Sequence, residues 1–192
     1  MTEGDVSQLA RPRRGHFDLG TGYHGDLWLD LDALFLWPDR LGPAVRQLAA
    51  ELRRYRLDAV SGPLTGGAFL AQQLAGLLGT AFLPAYPAAG SPPPGFRVPA
   101  GLREGISGWR VAVADDAVNA GTAVLATCED LRGAGAVPVA VAALLALGPA
   151  RARLAGTLRL PFHAVSALAS EAWPAGNCAL CASGVPIDPP AA

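Results

Sequence analysis

The sequence contains no lysine: all 15 of its basic side chains are arginine. That excludes Schiff-base chemistry and any mechanism needing a lysine amine, because a guanidinium stays protonated near neutral pH. Cysteine is scarce as well. Three thiols in 192 residues are an odd count that argues against a disulfide framework, and a chain of this length buries most of its apolar surface without one. No apolar run reaches the roughly 18 residues a membrane helix needs before charge, Gly or Pro interrupts it. Residues 1–10 are polar, without the apolar core of a signal peptide, so a cytoplasmic protein with no membrane partner is expected. The formal net charge of −1 leaves no electrostatic footprint for nucleic acid, and no such partner is expected.

What the chain does have is 51% hydrophobic residues against 16% charged ones, the balance of a globular protein. Its most informative stretch is RVAVADDAVNAGTAV at residues 110–124. Residues 111–114 read as a buried strand, since four apolar residues in succession leave neither face for water. Asp115 and Asp116 follow at the strand's carboxyl end. Asn119, Ala120, Gly121, Thr122 and Ala123 form a small-residue turn leading into a helix, where backbone N–H groups and the helix dipole suit an anion. This is neither a GxxxxGK[ST] loop nor a GxGxxG fingerprint. Two acids beside an anion cradle suggest a phosphorylated sugar.

Earlier in the chain, residues 1–14 are expected to be an extended or frayed tail. GHFDLGTGYHGDLWLDLDALF suggests two short strands around a Gly-rich turn, a small flap with Trp28 and Trp37 as packing residues. Residues 38–55 carry Leu41, Val45, Leu48 and Leu52 at helical spacing behind Pro38. A second strand, small-residue loop and helix occupies residues 58–78, with SGPLTGG as its loop and a second anion cradle. Residues 87–108 are Pro/Gly-rich with little periodicity, as in a lid or an insert, and Arg97 and Arg103 are charges it would deliver. Strands are expected at Val137–Leu147 and Phe162–Leu168, with His163 structural. Cys178-x-x-Cys181 supplies two of the four ligands a structural zinc needs, Cys128 being the other thiol. A zinc site would require histidines or a second subunit; otherwise these are two packed thiols in a tail.

Strands alternating with helices through short loops indicate an α/β fold with a mainly parallel sheet flanked by helices, and ligands beyond the strands' carboxyl ends. The spacing of strand, D-D-x-x-[small]-A-G-T-A and helix resembles the phosphoribosyl-pyrophosphate (PRPP) signature of the type I phosphoribosyltransferases. The N-terminal GHFDLGTGYHGDLWLD is similar to the hood segment of the orotate-specific members, and SGPLTGG resembles their pyrophosphate loop. The resemblance implies a phosphoribosyltransferase-like domain at 15–172, with a hood at 15–37, a lid at 87–108 and a C-terminal tail at 173–192. It further implies that residues 119–123 hold the 5-phosphate and that Asp115 and Asp116 contact the ribose hydroxyls, directly or through Mg²⁺. Ser61, Gly62, Thr65 and Gly66 would bind pyrophosphate, Arg97 and Arg103 would stand in for lid lysines, and the protein would be a homodimer acting on PRPP and a base.

The sequence also departs from the orotate pattern. The lid lacks lysine and histidine, Gly20 stands at a hood position where lysine is common, and Asn119 replaces the usual Thr. The strand after the PRPP helix ends Leu147-Gly148-Pro149, where an Asp-Arg pair is common. Three readings stay open: an orotate enzyme, a phosphoribosyltransferase for another base, and a non-catalytic PRPP or nucleotide sensor.

Overall fold

The computed structural model describes residues 5–20, 22–88 and 95–189. It opens on a short helix, α1 (Val6–Leu9), capped by Asp5, whose carboxylate accepts from the Ser7 N–H at 3.1 Å. Val6, Ser7 and Ala10 are buried. Residues 5–14 are therefore not frayed: Val6 and Ala10 give the segment apolar side chains to bury. An antiparallel hairpin follows, β1 (Arg13–Asp18) and β2 (Tyr23–Trp28). Then come α2 (Pro38–Leu52), β3 (Ala59–Pro63), α3 (Gly66–Leu78), β4 (Ala81–Ala88), β5 (Gly95–Arg97) and α4 (Ala100–Arg103). The second half contains β6 (Arg110–Val118), α5 (Thr122–Gly133), β7 (Val137–Leu147), α6 (Ala150–Leu158), β8 (Phe162–Leu168), β9 (Ala172–Pro174) and α7 (Ala179–Ala182).

The main sheet has the order β5-β4-β3-β6-β7-β8. Its strands are parallel except β5, which joins the edge antiparallel to β4. Side chains alternate across a strand, so β6 serves two cores at once. Ala112 and Ala114 pack with Leu41, Leu48, Leu70 and Leu74 of α2 and α3. Val111 and Val113 pack with Val124, Cys128 and Leu131 of α5 and Leu154 of α6. Each fully buried leucine of this kind contributes about 1.5–3 kcal/mol. The chain winds outward from β3 to β4 and, in the opposite sense, from β6 to β7. Adjacent β3 and β6 thus form the topological switch point, where open parallel sheets leave a crevice for ligands.

A second, three-stranded antiparallel sheet, β1-β2-β9, is the hood. The C-terminal segment completes it: β9 pairs with β2 through His24↔Trp173, and residues up to Asp188 hydrogen-bond back to β1. Trp28 packs on Phe17 with ring centroids 5.9 Å apart. Trp37, expected in the core, is instead 59% exposed, because it directly precedes α2 and lies off that helix's buried stripe.

The expected lid is also different. Of residues 87–108, 89–94 lie outside the described residues, while 95–108 are folded onto the main sheet. Val98 and Ile106 are buried in the α5-side core. The Val98 N–H donates to Asp130 on α5 at 2.9 Å, and Arg103 is ion-paired with the same carboxylate. Asp130 lies eight residues beyond Thr122, about 12 Å along the helix from the proposed phosphate cradle. In this arrangement Arg103 anchors the edge of the sheet, away from the proposed phosphate cradle. Arg103→Ala is expected to cost about 1–2 kcal/mol of stability, read by thermal melting, with turnover unchanged in saturating substrate. A large fall in turnover without a change in melting would return Arg103 to the site.

Candidate active site

Sequence reading puts Asp115 and Asp116 after the strand, but β6 continues through them to Val118. Its pairing with β7 persists through Ala117↔Leu145 and Val118↔Ala146, whereas its pairing with β3 stops at Ser61↔Val113. Beyond that point β3 parts from β6, staying paired with β4 through Pro63 before the loop to α3. Both acids thus sit on a strand edge that faces a loop. Asp115 is 9% exposed, and its Oδ1 accepts from the Asp116 N–H at 3.1 Å. Asp116 accepts from the Ala117 N–H at 2.7 Å.

The loop comes very close. A Cβ added at Gly66 would lie 1.8 Å from Asp116 Oδ2, so only glycine lets the carboxylate rest against the start of α3. Ser61 and Gly62 are fully enclosed within β3, beneath the loop; Thr65 is exposed and Gly66 partly so. The pyrophosphate-binding expectation therefore narrows to the backbone of residues 64–66 and Thr65, with Ser61 and Gly62 as support. The Leu64–Thr65 peptide is cis.

Neither helix that starts here has a side-chain N-cap. Thr65 precedes α3 and Gly121 precedes α5 without a capping hydrogen bond. Their first N–H groups are left for a ligand, with the positive ends of both helix dipoles beside them. Gly121 is doubly required: its φ is +78°, and a Cβ would lie 2.6 Å from Leu154 of α6. Asn119 is half-buried, Ala120 and Thr122 are exposed, and Ala123 is half-buried, so the turn is open to an anion.

Burial pushes the Asp115 carboxyl well above the usual carboxylate range, and the neighbouring Asp116 charge pushes it further. Asp116 is raised too, again chiefly by burial, with a contribution from Asp32 of the hood. Among the described residues no arginine pairs with either acid. The site thus concentrates negative charge between two positive helix ends and offers carboxylate oxygens to a cation or to hydroxyl groups. Asp32 was missed in the sequence, because only the folded hood brings it near Asp116. It also borders a cleft of about 800 Å³ lined by Arg11, Arg13, Trp28 and Asp30. Arg97 is exposed on β5, opposite Tyr86. His163 has the structural role expected of it, 2.8 Å from the Tyr55 hydroxyl. Cys178 and Cys181 lie against His16 and His24 of the hood hairpin.

No protein-family model matches the chain. Its architecture matches solved phosphoribosyltransferases. An adenine phosphoribosyltransferase from Thermoanaerobacter pseudethanolicus superposes with a TM-score of 0.69 over 87% of this chain and 100% of its own, at 15% identity. The fold is that of the type I phosphoribosyltransferases, with the acid pair and both loops at its switch point. Within that class the sequence is similar to orotate phosphoribosyltransferase. The enzyme of that name from Caldanaerobacter subterraneus subsp. tengcongensis is 28% identical over 180 residues, 92% of this chain and 88% of the relative. The orotate phosphoribosyltransferase structure from Aeropyrum pernix has a TM-score of 0.69 at 24% identity, covering 88% of this chain and 94% of that one. Among the described residues no helix is long and apolar enough to cross a membrane.

Proposed function

We propose that this chain transfers the phosphoribosyl group of PRPP to the ring nitrogen of orotate, releasing pyrophosphate. The observation that carries the reading is the acid pair set between two uncapped helix N-termini at the switch point. The N-terminus of α5, with Thr122, takes the 5-phosphate; the loop at residues 64–66 takes the pyrophosphate; Asp115 and Asp116 hold the ribose hydroxyls. Breaking the C1 bond of PRPP develops positive charge on the ribose and negative charge on the leaving pyrophosphate. The oriented N–H groups stabilise the latter, and the acids stabilise the former. Arg97 is the remaining arginine of residues 87–108 for the leaving-group charge.

Carboxylate, phosphate and water oxygens are the donors Mg²⁺ prefers, and two acids with no arginine partner among the described residues fit that ion. When bound, Mg²⁺ would neutralise pyrophosphate charge. The same reading includes a cytoplasmic homodimer, with exposed Leu36 and Trp37 available to a second copy.

A specific observation favours a second base. β7 ends at Leu147 and is followed by Gly148, whose N–H donates to the Leu168 carbonyl, and no acid–arginine pair follows to clamp a carboxylate. The test is a panel of orotate, adenine, guanine and hypoxanthine with PRPP and Mg²⁺, followed by pyrophosphate release, with the mass of the active species measured in the same solutions. Turnover with orotate is expected. Turnover restricted to a purine selects the second reading, turnover with no base would leave a PRPP-binding sensor, and an active monomer would remove the dimer.

A further inference from the structure

We infer that His16, His24, Cys178 and Cys181 form a tetrahedral zinc site that fastens the hood to the C-terminal segment. The inference does not depend on the proposed transferase activity. Four potential ligand atoms, one from each residue, lie within 4.8 Å of one another. His16 Nε2 is 3.2 Å from His24 Nδ1, 3.4 Å from Cys178 Sγ and 3.7 Å from Cys181 Sγ, and Cys181 Sγ is 3.3 Å from His24 Nδ1. A zinc ion with Zn–N near 2.05 Å and Zn–S near 2.3 Å separates its ligands by about 3.3–3.8 Å along the edges of a tetrahedron. Four of the six separations, at 3.2–3.7 Å, are close to those edges, and the other two lie within 4.8 Å.

The surroundings prepare the ligands. His16 Nδ1 lies 2.8 Å from the Val185 carbonyl, a contact it can make only as a donor. That fixes the tautomer and leaves Nε2 with a bare lone pair, as in metal-bound histidines whose second nitrogen is held by an outer acceptor. One lone pair cannot serve three donors at 3.2–3.7 Å, whereas a cation among them satisfies all four groups. His16 is 0% exposed, Cys178 3% and His24 8%, so the group is largely shielded from water. Cys181 sits on the outer side.

Local structure accounts for this convergence. The β1–β2 pairing is irregular between Arg14 and Phe17. Such a bulge re-aims a side chain, and here both His16 and Phe17 turn inward in place of strict alternation. Pairing of His24 with Trp173 draws the chain leading to Cys178 over the hairpin. Cys178 immediately precedes α7, and the Ala182 N–H bonds to its carbonyl at 3.1 Å. This turn brings Cys181 back beside Cys178. Cys128 takes no part: it is buried on the sheet-facing side of α5, with its thiol pushed up to about 12 by burial.

The experiment is elemental analysis of the full chain produced in zinc-containing medium under reducing conditions, with cobalt substitution as a second readout. One zinc per chain is expected, together with the visible bands and thiolate-to-cobalt charge transfer of a tetrahedral two-sulfur, two-nitrogen site. Cys178→Ser with Cys181→Ser, and separately His24→Gln, should lose at least nine-tenths of the metal, while Cys128→Ser keeps it. Chelation should lower the melting temperature and expose the C-terminal segment to protease. If the double cysteine variant fails to fold, the wild-type cobalt spectrum and His24→Gln still decide. Zinc below a tenth of an equivalent after reconstitution, a Cys178–Cys181 disulfide in freshly prepared protein, or full metal retention by His24→Gln would overturn the assignment.

Discussion

Asp115→Asn combined with Asp116→Asn should abolish turnover and weaken PRPP binding by about two to four orders of magnitude, since each hydrogen bond to a charged group is worth about 1.5–3 kcal/mol. The same change should stabilise the ligand-free protein. Both carboxyls are raised by burial and by neighbouring negative charge, so the folded state holds their protons more tightly than the unfolded chain does. Stability from this source is complete below the unfolded value of 3.8. It is lost as pH rises from there through the raised folded values, because the unfolded chain releases its protons first. Above that window the wild type carries two crowded charges and the Asn variant none. Melting in metal-free buffer should therefore show the variant ahead at pH 8, with the difference shrinking towards pH 4. Unchanged PRPP affinity would remove the acids from the ribose site, and a variant less stable at pH 8 would contradict the burial penalty.

Gly66→Ala should be nearly as damaging to activity for a different reason. The new methyl would occupy the position of Asp116 Oδ2, 1.8 Å away, and the carboxylate would have to swing out. Displacing a positioning group by about 1 Å costs about a hundredfold in rate. The fold should tolerate the change, because alanine suits the first turn of α3 better than glycine. Gly76→Ala on the same helix is the control. A Cβ there meets nothing within 4 Å, so it should add about 0.5–1 kcal/mol of stability and leave kcat/KM unchanged. Equal activity in the two variants would mean that Asp116 is not part of the reacting site.

Both predictions use residues visible in the sequence, but their arrangement was only partly so. The buried run at residues 111–114 announced a central strand, since a strand covered on both faces must be apolar throughout. It did not announce that β6 continues through both acids, which depends on β7 staying paired after β3 has turned away. The small-residue loops were legible because close backbone approach demands glycine. Ser61 was legible as the end of a strand over residues 58–61, but the continuation of β3 through Gly62 and Pro63 was not, because GPLTGG looks like a loop throughout. Residues 95–108 lack periodicity, yet Val98 and Ile106 each find a place in the core and Asp130 ties the segment down. Composition suggested a lid over residues 87–108, and a contact 32 residues away ties the second part of that segment to α5.

The sequence by itself determined two strand, small-residue loop and helix units, with an acid pair in one of them, because strand burial, glycine turns and helix starts are local properties of neighbouring residues. Tertiary structure alone decided that the two loops meet across adjacent β3 and β6, and that His16 and His24 stand over Cys178 and Cys181. Those meetings depend on sheet order and hairpin register. Spacing along the chain carries no record of a contact between residues 162 positions apart.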